Sequence, residues 1–283
     1  MPETRPVDVC KLCHLTKPLC DSHYLPKKLY SFVGAAQLKN PQPVMSIDGE
    51  LRQSSLQYRG YVFCETCEAE LNHGGEKWVI QQVPREYGGR FPLREALSRL
   101  RPLQSGDRIT AFNVLGKSDF DLEKLVYFGL SIFWRAAVHK WSTTAGQIAE
   151  EVDLGAFEEP LREFLLGTGP LPNQNIVLAL DVSPEVPVFP ALHPVVGEQH
   201  AGFERLWFYI PGLVFLLWLG QNIPRHFKGS SLANGVITSD VGLARSIRQF
   251  TSEGLKSQKL GPKLPEMMRQ IDDIRSRKPS KLS

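Results

Sequence analysis

The chain has 283 residues, 42% of them hydrophobic and 22% charged, with a formal net charge of +3. That is the composition of an ordinary soluble globular protein, and the charge is too small to announce a nucleic-acid partner by itself. Its distribution is less even: residues 224–283 hold 12 Lys/Arg against 5 Asp/Glu, whereas residues 1–80 balance at 9 against 9. A basic segment of this kind is most simply a solvated face.

The opening "MPETRPVDVC" has no apolar stretch of the secretory kind. Five cysteines, an odd number, do not read as a disulfide framework, so a reducing cytoplasm is the expected setting. Residues 1–82 are dense in short motifs, turns and Cys/His, which suits a small domain held by a metal more than by a core. "CKLC" gives Cys10 and Cys13, and "FCETC" gives Cys64 and Cys67. A Cys-x-x-Cys places two thiolates on one tight knuckle, where both reach a single Zn²⁺ at about 2.3 Å. One such motif is a weak signal; two of them complete a tetrahedral set. Four thiolates leave no open coordination position, so the expected zinc is structural. Cys20 falls outside the pattern and reads as a small buried residue; His14, next to Cys13, is an alternative ligand that nothing favours.

Gly and Pro punctuate Pro84–Gly106, which is expected to link two bodies over residues 83–106, with a short helix near Leu93–Leu100. Residues 107–283 then read as a larger α+β domain. The clearest helix is "DFDLEKLVYFGLSIFWRAAVHKW", where Leu122, Leu125, Val126, Gly129, Ile132, Phe133, Ala136 and Ala137 recur at helical spacing. Asp119 or Asp121 can cap it. A second helix is expected over Phe157–Leu166, a strand in "NIVLALDV", and helices in "LARSIRQFTSEGLKS" and "PEMMRQIDDIRSRK". "LWFYIPGLVFLLWLG", Leu206–Gly220, is too short to span a bilayer and is broken by Pro211-Gly212, so it reads as a buried β-hairpin and no membrane contact is expected.

His73 in "LNHGGEKW" is placed at a helix C-terminus, with Gly74 or Gly75 as the left-handed stop. Arg135, inside the most apolar helix, calls for a buried carboxylate partner or a phosphate, the former being commoner. Tyr30 and Trp78 are read as packing between the two bodies. His139, His193, His200 and His226 show no ligand spacing, and no Gly-rich phosphate loop or nucleophile elbow occurs.

The first 80 residues resemble the HNH endonuclease superfamily, whose ββα-metal motif is often embedded in a zinc-stapled treble clef. "CKLC" matches the first knuckle, "SHYLP" (Ser22–Pro26) the histidine run, and "FCETCEAEL" the second knuckle and the start of its helix. The resemblance implies a small HNH-like treble clef over those residues, which with the larger α+β domain read from the predicted elements makes the whole chain α+β. It implies action on nucleic acid, as a divalent-metal-dependent endonuclease or as a descendant that only binds. His23 would polarise or deprotonate a water. Mg²⁺ or Mn²⁺ held by Glu68, with Asp21 or His73, would neutralise the scissile phosphate. Lys27, Lys28 and Lys77 would hold flanking phosphates. The pattern departs from the family at Ser22, which stands where a carboxylate is usual, and no Asn precedes the second knuckle in "LQYRGYVF". Strand alternation turns Asp21 and His23 to one face, so Asp21 is the expected substitute. The rival reading is a non-catalytic zinc-stapled module that docks protein or nucleic-acid partners.

Overall fold

The computed structural model describes residues 5–35, 44–47, 50–53, 57–86, 88–184, 188, 191–246 and 249. Strand β1 (Val7–Val9) runs antiparallel to β2 (Thr16–His23), with the first Cys-x-x-Cys in the turn between them. Helix α1 (Lys27–Ala35) follows, and then a two-stranded ribbon, β3 (Val44–Ile47) with β4 (Glu50–Gln53). Strand β5 (Arg59–Cys64) returns antiparallel to β2 and closes a three-stranded sheet in the order β1-β2-β5. Cys64 then opens α2 (Glu65–Leu71).

The Gly-Gly stop expected near His73 is absent. The chain stays helical through a π-turn, Asn72–Glu76, and continues as α3 (Lys77–Gln82). Tertiary packing explains the difference. A Cβ at Gly75 would lie 2.6 Å from the Lys124 carbonyl oxygen and 2.8 Å from Phe128 Cβ, and one at Gly74 would collide with the Tyr127 ring. The two glycines let this helix approach α5 (Leu122–Val138) closely, and the wider turn accommodates the contact. Asp121 caps α5 by accepting from the Lys124 amide at 3.0 Å.

Helix α4 (Pro92–Ser98) lies within the expected linker, yet Phe91, Leu93, Ala96 and Leu97 are buried in the main core. Strands β6 (Gln104–Ser105) and β7 (Ile109–Asn113) form a hairpin, and α6 (Glu158–Leu165) follows α5 after a long connection. Strand β8 (Ile176–Val182) is buried along its whole length. Next come β9 (His193–His200), β10 (Phe203–Ile210) and β11 (Leu213–Leu219); β10 and β11 are the hairpin expected around Pro211-Gly212. Gly212 takes φ 82°, the left-handed conformation that makes the turn. A short helix, α7 (Arg225–Gly229), leads to β12 (Val236–Asp240). The seven strands lie in the order β6-β7-β12-β8-β11-β10-β9, antiparallel except for the β12–β8 pair. Helix begins again at 241–246; the rest of the two terminal helices expected from sequence lies outside the described residues.

Helix α5 lies between the two sheets. One side packs on the large sheet, with Phe128 against Phe215 at 5.4 Å and Phe133 against Phe208 at 5.0 Å between ring centroids. The other meets the N-terminal module, where Trp134 stacks on Phe63 at 5.8 Å. One buried apolar cluster therefore runs from Cys10 to Ile237. Among the described residues no helix is long and apolar enough to cross a membrane.

Candidate functional site

Cys10, Cys13, Cys64 and Cys67 come together as the spacing predicts, their sulfurs all within 4.8 Å of one another. A tetrahedral ZnS₄ centre with bonds of about 2.3 Å has sulfur–sulfur edges of about 3.8 Å. Cys13 Sγ and Cys64 Sγ, 3.9 Å apart, are at that edge length. The knuckle is built by backbone bonds: the His14 amide donates to the Cys10 carbonyl at 2.8 Å and the Cys10 amide to the Leu15 carbonyl at 3.0 Å. His14 takes a left-handed conformation (φ 59°) to close the turn and is exposed. The Cys64 amide donates to Cys10 Sγ at 3.3 Å. Hydrogen bonding from Cys67, opposed by burial, lowers the Cys10 pKa to about 4, and the same pairing raises that of Cys67. A cluster that already favours a thiolate is suited to a metal such as zinc. Cys20 stays outside it, half-buried, with Arg5 Nη1 3.8 Å from its sulfur.

A second element holds the knuckle from behind. Arg162 of α6 donates from Nη1 to the Leu12 carbonyl at 2.7 Å while a second nitrogen engages Glu159 at 2.6 Å. Leu12, between the first two cysteines, is fully buried.

His23 is the last residue of β2, half-buried, directly opposite Arg59 of β5 in the antiparallel register. Burial lowers its pKa, and the nearby Lys27 charge adds to the effect, so the imidazole is neutral at pH 7. Its backbone carbonyl accepts from Arg135 Nη1 at 3.4 Å. Arg135, 2% exposed, is ion-paired to Glu76, which the π-turn directs toward it, and its guanidinium lies 5.7 Å from the Phe63 ring centroid. The buried carboxylate that the arginine called for is therefore Glu76.

The expected companions of His23 are distributed differently. Asp21 is exposed and ion-paired to Arg59; alternation puts it on the same strand face as His23. Ser22 points inward, accepting from the Phe63 amide at 3.3 Å where the β2–β5 register shifts. A carboxylate at this position would be buried. Glu68 lies beside Cys20, whose pKa its charge helps to raise, and its Oε1 is buried without a hydrogen-bond partner among the described residues. Asp21, His23 and Glu68 do not bring ligand atoms within 4.8 Å of one another, and His73 is exposed, its carbonyl accepting from Lys124 Nζ. Lys27, Lys28 and Lys77 are all exposed, Lys28 lying over the Phe32 ring.

No family model, curated protein or solved structure matches this chain. Function is read from the residues themselves. Those missed in the sequence are Arg59, Glu76 and Arg162. Each acts through a partner distant along the chain: 38 residues for Arg59–Asp21, 59 for Arg135–Glu76 and 150 for Arg162–Leu12. A charged residue inside an otherwise β-forming run, as in "YRGYVF", is the signal that marks Arg59.

Proposed function

We propose that this is a zinc-structured, HNH-like protein that acts on nucleic acid, with His23 as the base that takes a proton from water. The observation that carries the reading is the arrangement around the four cysteines. A Cys-x-x-Cys knuckle, the antiparallel pair β2 and β5, and a helix opening at the second Cys-x-x-Cys follow one another as in a treble clef. His23 ends the first strand of that pair as a neutral imidazole. The zinc is structural, because four thiolates fill its coordination. Exposed Lys27, Lys28 and Lys77 supply cations for phosphates near the same module.

The residues expected to hold Mg²⁺ or Mn²⁺ do not fit such an ion. Asp21 is ion-paired to Arg59, His73 is exposed in the π-turn, and the ligand atoms of Asp21, His23 and Glu68 do not gather within 4.8 Å of one another, so no step is assigned to a divalent cation.

Nicking of supercoiled plasmid by the full-length, zinc-loaded chain tests the reading, with wild type compared with His23→Ala in the presence of Mg²⁺ or Mn²⁺. The expected result is nicking that the substitution abolishes while zinc content is unchanged. A variant that nicks as well as wild type would rule out His23 as the base. The second reading, a docking module without catalysis, is favoured by one observation. The edge strand β1 exposes Val7 and Val9, near an exposed Leu15, as a strip on which a partner strand can add. Absence of both nicking and salt-sensitive binding to DNA or RNA would select it.

A further inference from the structure

We infer that the His23 face is a phosphodiester-cleaving site in which Arg59, oriented by Asp21 and assisted by Lys27, neutralises the phosphate, so that cleavage needs no divalent metal. The inference rests on the nuclease reading above and adds to it what carries the charge. His23 and Arg59 are directly opposed partners on neighbouring antiparallel strands. Side chains at opposed positions leave the same face of the sheet, with Cβ atoms about 4.5–5.5 Å apart. The register therefore starts the His23 and Arg59 side chains from one face of the sheet, where a phosphate group could lie between them; the Lys27, Arg135 and Glu76 charges also act on His23.

Asp21, two residues before His23 and on the same face, ion-pairs with Arg59 Nη2. That contact does two things at once. It makes Asp21 a weaker metal ligand, since a divalent ion there would sit beside the guanidinium charge. It also fixes the guanidinium, whose planar fork of five donors can meet a carboxylate on one edge and phosphate oxygens on another. Lys27, the first residue of α1, is exposed and close enough to act on His23 electrostatically. Ser22, where a metal-binding version of the site would need a carboxylate, is turned inward, and the ligand atoms of Asp21, His23 and Glu68 do not gather within 4.8 Å of one another. Arg59 and Lys27 are the exposed cations of this site, the first held by Asp21.

The chemistry balances without a cofactor. His23 accepts a proton from water, and the water oxygen forms the new P–O bond. The P–O bond to the leaving sugar oxygen breaks, its electron pair goes to that oxygen, and the imidazolium or solvent returns a proton to it. One water and one phosphodiester give one phosphomonoester and one alcohol, with no change of oxidation state. Arg59 and Lys27 meet charge on the non-bridging oxygens, where preorganised donors are most effective.

The test uses the full-length, zinc-loaded protein on supercoiled plasmid in buffer stripped of divalent ions by a chelating resin, with and without added Mg²⁺ or Mn²⁺. Zinc content is measured in every sample. The expected result is nicking at the same rate in both buffers, abolished in His23→Ala. Arg59→Ala should lower the rate by ~10²–10³-fold, as loss of one preorganised donor does, and added guanidinium ion should restore part of it. Rescue separates a role at the phosphate from a role in folding, and Arg59→Lys provides a second, milder variant. Nicking that appears only with Mg²⁺ or Mn²⁺ and is lost in His23→Ala would overturn this inference and leave the nuclease reading standing. An unimpaired Arg59→Ala, or an impaired variant that guanidinium does not rescue and whose fold is lost, would also overturn it. No nicking in either buffer would remove the nuclease reading and this inference together.

Discussion

Asp181, in the middle of β8 and 2% exposed, accepts a hydrogen bond from the Thr238 hydroxyl at 2.8 Å. Burial raises its pKa to about 7, and the charge of Asp240 adds to the rise. In the unfolded chain the same group ionises near the ordinary carboxylate value of about 4. Between those two pH values the folded protein keeps a proton that the unfolded chain has released. Stability therefore falls as pH rises from about 4 to about 7 and levels off above that. Asp181→Asn keeps an acceptor for Thr238 and removes the charge. Urea unfolding should show a flatter pH profile and a gain at neutral pH on the order of 1–4 kcal/mol; an unchanged pH profile would refute this. The Arg135–Glu76 pair makes the opposite case, because both partners are charged in the interior. Glu76→Ala leaves a buried guanidinium without its carboxylate and should cost about 3–5 kcal/mol. The double variant Arg135→Met/Glu76→Leu should recover most of that loss, whereas additive costs in a double-mutant cycle would show that the two do not act as a pair.

At the scale of elements, the π-turn in the helix that carries Cys67 is the feature that fixes Glu76. Gly75→Ala gains about 1 kcal/mol of intrinsic helix propensity, but its Cβ would meet the backbone of Lys124 at 2.6 Å, which cannot swing aside as a side-chain end can. Overpacking of this kind costs about 1–3 kcal/mol, so the variant should be destabilised. Gly229→Ala, with nothing within 4 Å of the new Cβ, should be neutral or stabilising by about 0.4–1 kcal/mol. Thermal melts of the two variants decide this, and a stabilised Gly75→Ala would contradict the close helix contact. The same contrast explains what was legible in the sequence. Helix α5 and the β10–β11 hairpin were readable because periodicity and a Pro-Gly turn are local signals. The four cysteines were readable because each pair is tied by a fixed short spacing. "NHGGE" was misread as a stop because its glycines answer to Tyr127 and Phe128, more than fifty residues on. Arg59 and Glu76 were overlooked for the same reason, and Ser22 gave no sign that it faces inward at a register shift.

For the whole molecule, the cysteine cluster and the sheet share one buried core through α5, and Arg162 ties the first knuckle to α6. Structural zinc in small modules contributes on the order of 10–16 kcal/mol of apparent binding energy. Loss of a metal from this cysteine cluster should therefore be felt beyond the knuckles, at Phe63 against Trp134 and at Tyr24 stacked on Trp141 at 5.4 Å. If the chain acts on nucleic acid as proposed, with exposed lysines as the contacts, binding should weaken steeply with salt, and Lys27→Ala/Lys28→Ala should flatten that dependence in a filter-binding titration. Salt-independent binding would contradict a phosphate-led contact.

A four-thiolate metal in the cysteine cluster would hold β2, β5 and the Cys67 helix together and so place His23. Zinc content and amide hydrogen exchange, measured together on the full chain and on Cys64→Ser, test it most directly. One zinc per wild-type chain is predicted, lost in the variant along with protection over residues 7–24 and 59–82. A chain purified without zinc that keeps wild-type protection across those residues would contradict it.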